Sequence, residues 1–364
     1  MRQCLQPVAS EREVQVGYVL SRDGMDAVLG KLGESCLIYA PVTKKGEGRF
    51  EGTDIVRYDF VHSIGEIEFA RKSDYSFKEI LTPLSDTLFF FADNKVTPAG
   101  EKTGADERDV IVFARACDLA AVKRLDQMFL HNGPADPFYQ RIREHVSFVL
   151  MGCPESFETC FCVSMGTNIA EEGWRFSVDI DGDDVRCAVK DEALDELFAA
   201  HAEAQAEVEP AHVDDNPTKV RIPETAPNEV YKSPMWDEYT KRCLKCGRCT
   251  VACPTCTCWT MQDTYYTPEG RAGERRRVQA SCMIDGYTNV AGGGQYRKTG
   301  GERMRFKVLH KVYDFRRRFG YDMCVGCGRC DAICPEYISF ANCVNKLADA
   351  VDALGAESEV SDHE

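Results

Sequence analysis

The chain has 364 residues, of which 44% are hydrophobic and 28% charged, enough apolar material for two domains with cores of their own. Its formal net charge of −15 argues against sequence-independent binding to nucleic acid, which needs a basic surface. No run reaches the roughly 18–20 apolar residues of a membrane span and the first residues lack the apolar core of a secretory signal. A cytoplasmic location is therefore expected, where 19 cysteines point to metal or redox chemistry and not to a disulfide framework.

In chain order, residues 26–32 read as a helix and residues 35–42 as a strand ending near Pro41. Residues 79–91 are apolar but interrupted by Pro83, which leaves their form open. Residues 108–114 form a short apolar strand that leads into a helix with Leu119, Val122, Leu125 and Phe129 at helical spacing and Asp118 as its cap. Residues 145–152 form a second buried strand, so strand, helix and strand suggest a parallel pair. Residues 175–190 read as a hairpin turning at Asp181–Gly182. The expected organisation is an α/β N-terminal domain (1–205), a linker (206–234), a mainly helical ferredoxin domain with two [4Fe–4S] clusters (235–347) and an acidic tail (348–364) frayed at its end.

Two combs of cysteines carry the chemistry. "CLKCGRCTVACP" starts at Cys243 and "CVGCGRCDAICP" at Cys324. The spacing C-x2-C-x2-C-x3-C-P is that of bacterial [4Fe–4S] ferredoxins, in which the fourth cysteine serves the other cluster. Cys243, Cys246, Cys249 and Cys334 are thus assigned to cluster 1, and Cys324, Cys327, Cys330 and Cys253 to cluster 2. Gly247 and Gly328 sit where the backbone must turn sharply beside the cluster. A pair of zinc sites has no use for the third cysteine and the proline. Cys253 and Cys324 lie 71 positions apart, so the segment between the combs, helical in pattern over residues 306–320, separates and supports them.

A third set is Cys117, Cys153, Cys160 and Cys162. If the two strands are parallel neighbours, Cys117 and Cys153 emerge at one carboxyl edge, where α/β sheets build sites. Four such cysteines suit a third [4Fe–4S] cluster; a mononuclear metal, redox thiols or small buried side chains are the alternatives. Cys256, Cys258 and Cys282 are read as packing around the clusters, and Cys4, Cys36, Cys187 and Cys343 as ordinary thiols. A basic island, Arg275, Arg276 and Arg277 with Arg316, Arg317 and Arg318, either offsets anionic clusters or docks an acidic partner. The glycines of residues 289–301 read as a flexible loop, because they lack the ordered spacing of a phosphate-binding motif.

"RCLKCGRCTVACPTCTCWTMQD", "GERRRVQASCMIDGYTNVAGGG", "RMRFKVLHKV" and "RFGYDMCVGCGRCDAICPEYISF" together resemble the iron–sulfur subunit of the anaerobic, siroheme-type sulfite reductases. "RACDLAAVKRLD" and "CPESFETCFC" are similar both to that subunit and to β subunits of cytoplasmic sulfhydrogenases. The resemblance implies a non-catalytic electron-transfer subunit, with no catalytic residue of its own. It would stand between a flavin-containing, NADH-oxidising subunit and a siroheme subunit that reduces sulfite to sulfide. The alternative is the same relay in a hydrogenase or sulfhydrogenase. The chain shows neither a separate siroheme-binding cysteine pattern nor a nicotinamide fingerprint.

Overall fold

The computed structural model of the protein describes residues 16–99 and 108–361; Cys4 lies outside them. The front of the chain supplies β1 (Val16–Ser21), α1 (Arg22–Gly33), β2 (Cys36–Lys44), β3 (Ile55–Val61), β4 (Ser85–Ala92), β5 (Lys95–Pro98) and β6 (Asp109–Ala114). It continues through α2 (Ala116–Phe129), α3 (Pro137–Arg143), β7 (Val146–Met151), β8 (Ser177–Asp181), β9 (Asp184–Ala188), α4 (Asp195–His201) and β10 (Ala204–Glu207). Eight of these strands form one mixed sheet in the order β10-β1-β9-β8-β7-β6-β2-β3. Its centre, β2, β6, β7 and β8, is parallel.

Both faces of that centre are covered, which is why β6 reads as an unbroken apolar run. Ile111 and Phe113 face one core with Leu29 and Phe198, and Val112 and Ala114 face another with Leu119 and Leu125. Strand β2 continues past Pro41 to Lys44. Its pairing with β6 stops at Tyr39, so the missing N–H of Pro41 removes no bond on that side. The β8–β9 hairpin pairs Asp181 with Asp184, placing its turn at Gly182–Asp183, one residue later than expected. Arg115, not Asp118, is the N-cap residue of α2; Asp118 sits three residues on and caps from there, its carboxylate accepting from the Arg115 N–H at 3.4 Å while it also takes the Arg329 guanidinium.

Residues 79–91 resolve into the end of a 3-10 turn (Phe77–Ile80) and strand β4, which leaves the large sheet. After α5 (Asp237–Arg242) and α6 (Arg248–Val251) come β11 (Trp259–Tyr265) and β12 (Ala272–Gln279), and β4 pairs with β12 in a four-stranded sheet β11-β12-β4-β5. The two halves therefore share a sheet, because β4 has the apolar alternation to pair and β12 the complementary edge.

The glycine segment forms a small hairpin, β13 (Asn289–Val290) with β14 (Gly294–Gln295), where a loop was expected. Then follow α7 (Gly300–Leu309), a π turn (His310–Asp314), α8 (Phe315–Phe319), α9 (Arg329–Ala332) and α10 (Phe340–Ser361). Met304, Val308 and Val312 pack on Phe340, Val344 and Leu347, and α10 carries helix into the acidic tail as far as Ser361, the last residues lying outside the described ones.

Residues 206–234, expected as a linker, run as a packed strap. Glu207 ends a strand of the large sheet, Val213 and Val230 are buried, and Asn216 donates to Ser156 at 2.8 Å. The apolar residues scattered through this polar stretch find cores on both sides of it.

Candidate iron–sulfur site

The two combs fold alike. In each, the glycine after the second cysteine is left-handed, Gly247 at φ 76° and Gly328 at φ 65°. The residue before that cysteine is left-handed as well, Lys245 at φ 56° and Gly326 at φ 64°. This curl aims backbone N–H groups at the first thiol: Lys245 donates to Cys243 Sγ at 3.4 Å, and Gly326 to Cys324 Sγ at 3.5 Å. Such bonds stabilise a thiolate.

Cys243, Cys246, Cys249 and Cys334 line one cavity with Met283, Met304, Lys307 and Phe340; it holds about 470 Å³ of space, part of it open to solvent. Cys330 also reaches its wall. The charge of Cys253 is felt by Cys324, Cys327 and Cys330 alike. Among the described residues no three His, Cys, Asp or Glu side chains converge on a single ion. The donor sets fit [4Fe–4S] groups.

Buried cations surround these thiols. Lys307 is buried at 3% exposure. Burial opposes its charge, but Cys249, Cys330 and Cys253 hold the ammonium well above its usual range. Lys311 is in the same position, with burial outweighed by Cys253, Cys256 and Cys324, and it donates to Thr255 Oγ1 at 2.8 Å. Burial would raise the thiol of Cys253, yet Lys311 pulls it below the ordinary value. Burial pushes Cys324 up to about 12, a measure of how much a thiolate there depends on an ion or cation to hold it. Neither lysine stands out in the sequence. The available signal is their i, i+4 spacing on the face that also buries Met304, Val308 and Phe315.

Cys117 follows β6, and Cys153 follows β7, its parallel neighbour, so both do reach one carboxyl edge. Burial raises the thiols of Cys117, Cys153 and Cys162, the last to about 11, and the four cysteines add to one another: Cys162 feels Cys160 and Cys153, and Cys117 feels Cys162. This set lies against the second comb. Cys117 packs against the small cluster of Ala121, Val325 and Cys327, the Phe161 N–H donates to the Gly326 carbonyl at 2.8 Å, and Lys72 Nζ bridges the Cys327 carbonyl (2.8 Å), Thr159 (2.9 Å) and Cys160 Sγ (3.5 Å). Arg329, fully buried, forks onto both carboxylate oxygens of Asp118 at 2.6 and 3.0 Å.

The basic island divides. Arg275 is held by Asp263 at 2.6 and 2.7 Å, and Arg276 by Glu274. Arg277 is withdrawn from any docking role: it is buried and bonded to Asp136 at 2.6 Å, because β12 turns it toward the front half. Arg316 donates to the Pro223 carbonyl at 2.5 Å. Arg317 and Arg318 are exposed and lie over Tyr313 and Phe319. Of the remaining thiols, Cys187 and Cys343 are buried in the cores and Cys36 starts β2.

Residues 242–338 match a family described as a 4Fe-4S dicluster domain; a chain with such a domain carries at least two [4Fe–4S] clusters. The sulfhydrogenase 2 β subunit of Pyrococcus furiosus is 30% identical over 348 residues, covering 88% of this chain and 95% of that protein. No solved structure shows significant similarity. Among the described residues no helix is long and apolar enough to cross a membrane.

Proposed function

The chain belongs to the family of the sulfhydrogenase β subunit and is an iron–sulfur electron-transfer subunit, and we propose that it is the relay of a hydrogenase-type complex. In this reading it passes electrons between a flavin partner that oxidises a nicotinamide and a partner that holds the catalytic metal. Cys243, Cys246, Cys249 and Cys334 hold one cluster, and Cys324, Cys327, Cys330 and Cys253 the second. Cys117, Cys153, Cys160 and Cys162 hold a third. A [4Fe–4S] cluster supplies one-electron transfer over a range of potentials that the protein sets.

The observation that carries the reading is the succession of the thiol sets. Cys117 packs against the cluster that contains Cys327 of the second comb, Cys330 of the second comb reaches the cavity of the first, and Cys246 of the first is exposed. The chain's own residues keep water from the inner sets, place Lys307 and Lys311 where thiolate charge must be offset, and present the outer set to a partner. Arg317 and Arg318 remain available for docking. Reversing both charges is expected to weaken assembly in a salt-dependent way, as measured by co-purification across salt concentrations.

Sulfite reductase is the second reading, favoured by the sequence segments between the combs, "AGGGQYRK" above all. Anaerobic purification of the tagged chain with its partners decides between the two. Nickel without siroheme bands supports the hydrogenase-type relay, and siroheme bands move the chain to sulfite reduction. Recovery of the cluster-loaded chain with no redox partner would sink both. Changing Cys153 to Ser is expected to remove about a third of the iron; unchanged iron would remove the third cluster from the scheme.

A further inference from the structure

Lys72 lies in the loop between β3 and the 3-10 turn at Phe77–Ile80, in the front half of the chain. That loop is pinned on two sides. The Asp74 N–H donates to the Val56 carbonyl at 2.8 Å, and Asp74 Oδ2 accepts from the Val56 N–H at 2.9 Å, which ties the loop to β3. Ser73 takes the buried Arg329 guanidinium on its carbonyl at 3.1 Å and on its hydroxyl at 3.0 Å, which ties the loop to the second comb. Lys72 thus enters the boundary between the two halves from an anchored backbone.

The ammonium reaches both of the cysteine sets that meet there. Nζ donates to the carbonyl of Cys327, in the second comb, at 2.8 Å, and to Cys160 Sγ, in the front set, at 3.5 Å. Thr159 Oγ1 is the remaining partner at 2.9 Å, and the Phe157 ring centre lies 5.8 Å away. These contacts occupy the donors of one ammonium. None of them is a carboxylate, and among the described residues no carboxylate pairs with Lys72. The neighbouring Arg329 differs, because Asp118 neutralises it through both oxygens. A half-buried ammonium with no acid beside it is stabilised when the sulfur centres it bridges are anionic.

We propose that Lys72 is a positioning cation shared by the second and third clusters, one ammonium that raises the reduction potentials of both together. The proposal rests on the relay reading above, which places Cys327 in the second cluster and Cys160 in the third. A hydrogen bond to a ligand sulfur tunes a cluster's potential. A positive charge beside the cluster favours its reduced form, which carries one more negative charge. The electron that crosses this junction leaves one cluster and enters the other, and no bond forms or breaks. Lys72 carries neither electron nor proton; it stabilises the electron on either side of the crossing. Its bonds reach no thiol of the first cluster, so the junction is tuned apart from the exposed end of the relay.

The test uses the full chain purified anaerobically with its clusters and partners, titrated with reductant and followed by electron paramagnetic resonance. In Lys72→Met the midpoints of two clusters are expected to fall and that of the third to stay. Adding Cys153→Ser, which takes out the front set, identifies them: one shifted and one unshifted midpoint should remain. Lys72→Arg, which keeps the charge, should show a smaller fall than Lys72→Met. Equal falls in these two variants would assign the effect to packing and overturn the proposal. Midpoints that do not move, or a shift confined to one cluster, overturn it as well. Lys72→Gln takes the place of Lys72→Met if that variant does not assemble. The relay reading is judged separately on the unaltered chain. Signals from only two clusters there remove the third cluster and the shared role with it, whereas three signals indifferent to Lys72 remove the shared role alone.

Discussion

The two combs have the same spacing and opposite surroundings. In the first, Leu244, Cys246 and Arg248 are exposed; in the second, their counterparts Val325, Cys327 and Arg329 are buried, and so are Gly326 and Gly328 between them. The left-handed residue before the second cysteine is a lysine in the first comb, reaching out to Asp285 at 2.6 Å, and a glycine in the second. A side chain at Gly326 would strike the Phe161 backbone at 2.6 Å. The spacing specifies a cluster loop; the residues inside it specify what the loop faces. One comb faces solvent, and the other faces the thiols of the front sheet.

That contrast can be broken at its strongest point first. Arg329→Met leaves Asp118 buried and uncompensated, and is expected to cost about 3–5 kcal/mol in denaturant unfolding. Arg248→Met, at the same comb position in solvent, should stay within about 0.5 kcal/mol. Equal losses would mean that the two environments are not different in kind. Next, an added methyl at Gly328 meets the Thr159 carbonyl oxygen at 2.0 Å, whereas at Gly247 it meets the movable side chain of Ile284 at 2.8 Å. Both positions carry the strain of positive φ. Gly328→Ala should cost about 2–4 kcal/mol and Gly247→Ala about 1–2 kcal/mol, read as a difference in unfolding midpoint.

Lys307 sharpens the comparison from the middle, because its charge answers to thiols of both combs. Lys307→Met should lower the midpoint potentials of both clusters in an anaerobic titration; a shift in one alone would place the lysine with a single comb. The smallest effect concerns Asp179, which holds the strap at the front set. Its Oδ1 accepts from the Ala211 N–H, and the Ala211 carbonyl accepts from the Cys153 N–H. Burial raises Asp179 to about 6, above the unfolded value. Its share of stability is therefore full at pH below about 4 and is lost as pH rises through 6. Asp179→Asn, which keeps the acceptor, should gain about 1–2 kcal/mol above pH 7 and nothing at pH 4.

How far the sequence could be read follows the range of the interactions. Comb loops close within a few residues, so the sharp turns at Gly247 and Gly328 were legible. The pairing of Cys117 with Cys153 needed only the inference that two apolar runs lie parallel. The role of Asp118 did not follow, because its partner Arg329 is distant in the chain and arginine in a comb reads as surface. Strand β12 read as part of a basic island, set to offset clusters or dock a partner, for the same reason. Arg275 and Arg277 answer to Asp263 and Asp136, which nothing local announces. The lysines of α7 and the π turn look like ordinary helix polarity until the thiols around them are seen.

The sheet shared by β4 and β12 bears on how the chain is made. During synthesis β4 emerges 180 residues before the first residue of β12, which at about 5–20 residues per second is a wait of about 10–40 s. Through that interval Leu88 to Phe91 stand on an unpaired edge, the kind of surface that recruits other chains. A fragment ending before the first comb would keep that edge open permanently. The front half therefore depends on the cluster-bearing half for solubility, and cutting the protein within residues 206–234 should yield an aggregating sheet, not a free-standing domain.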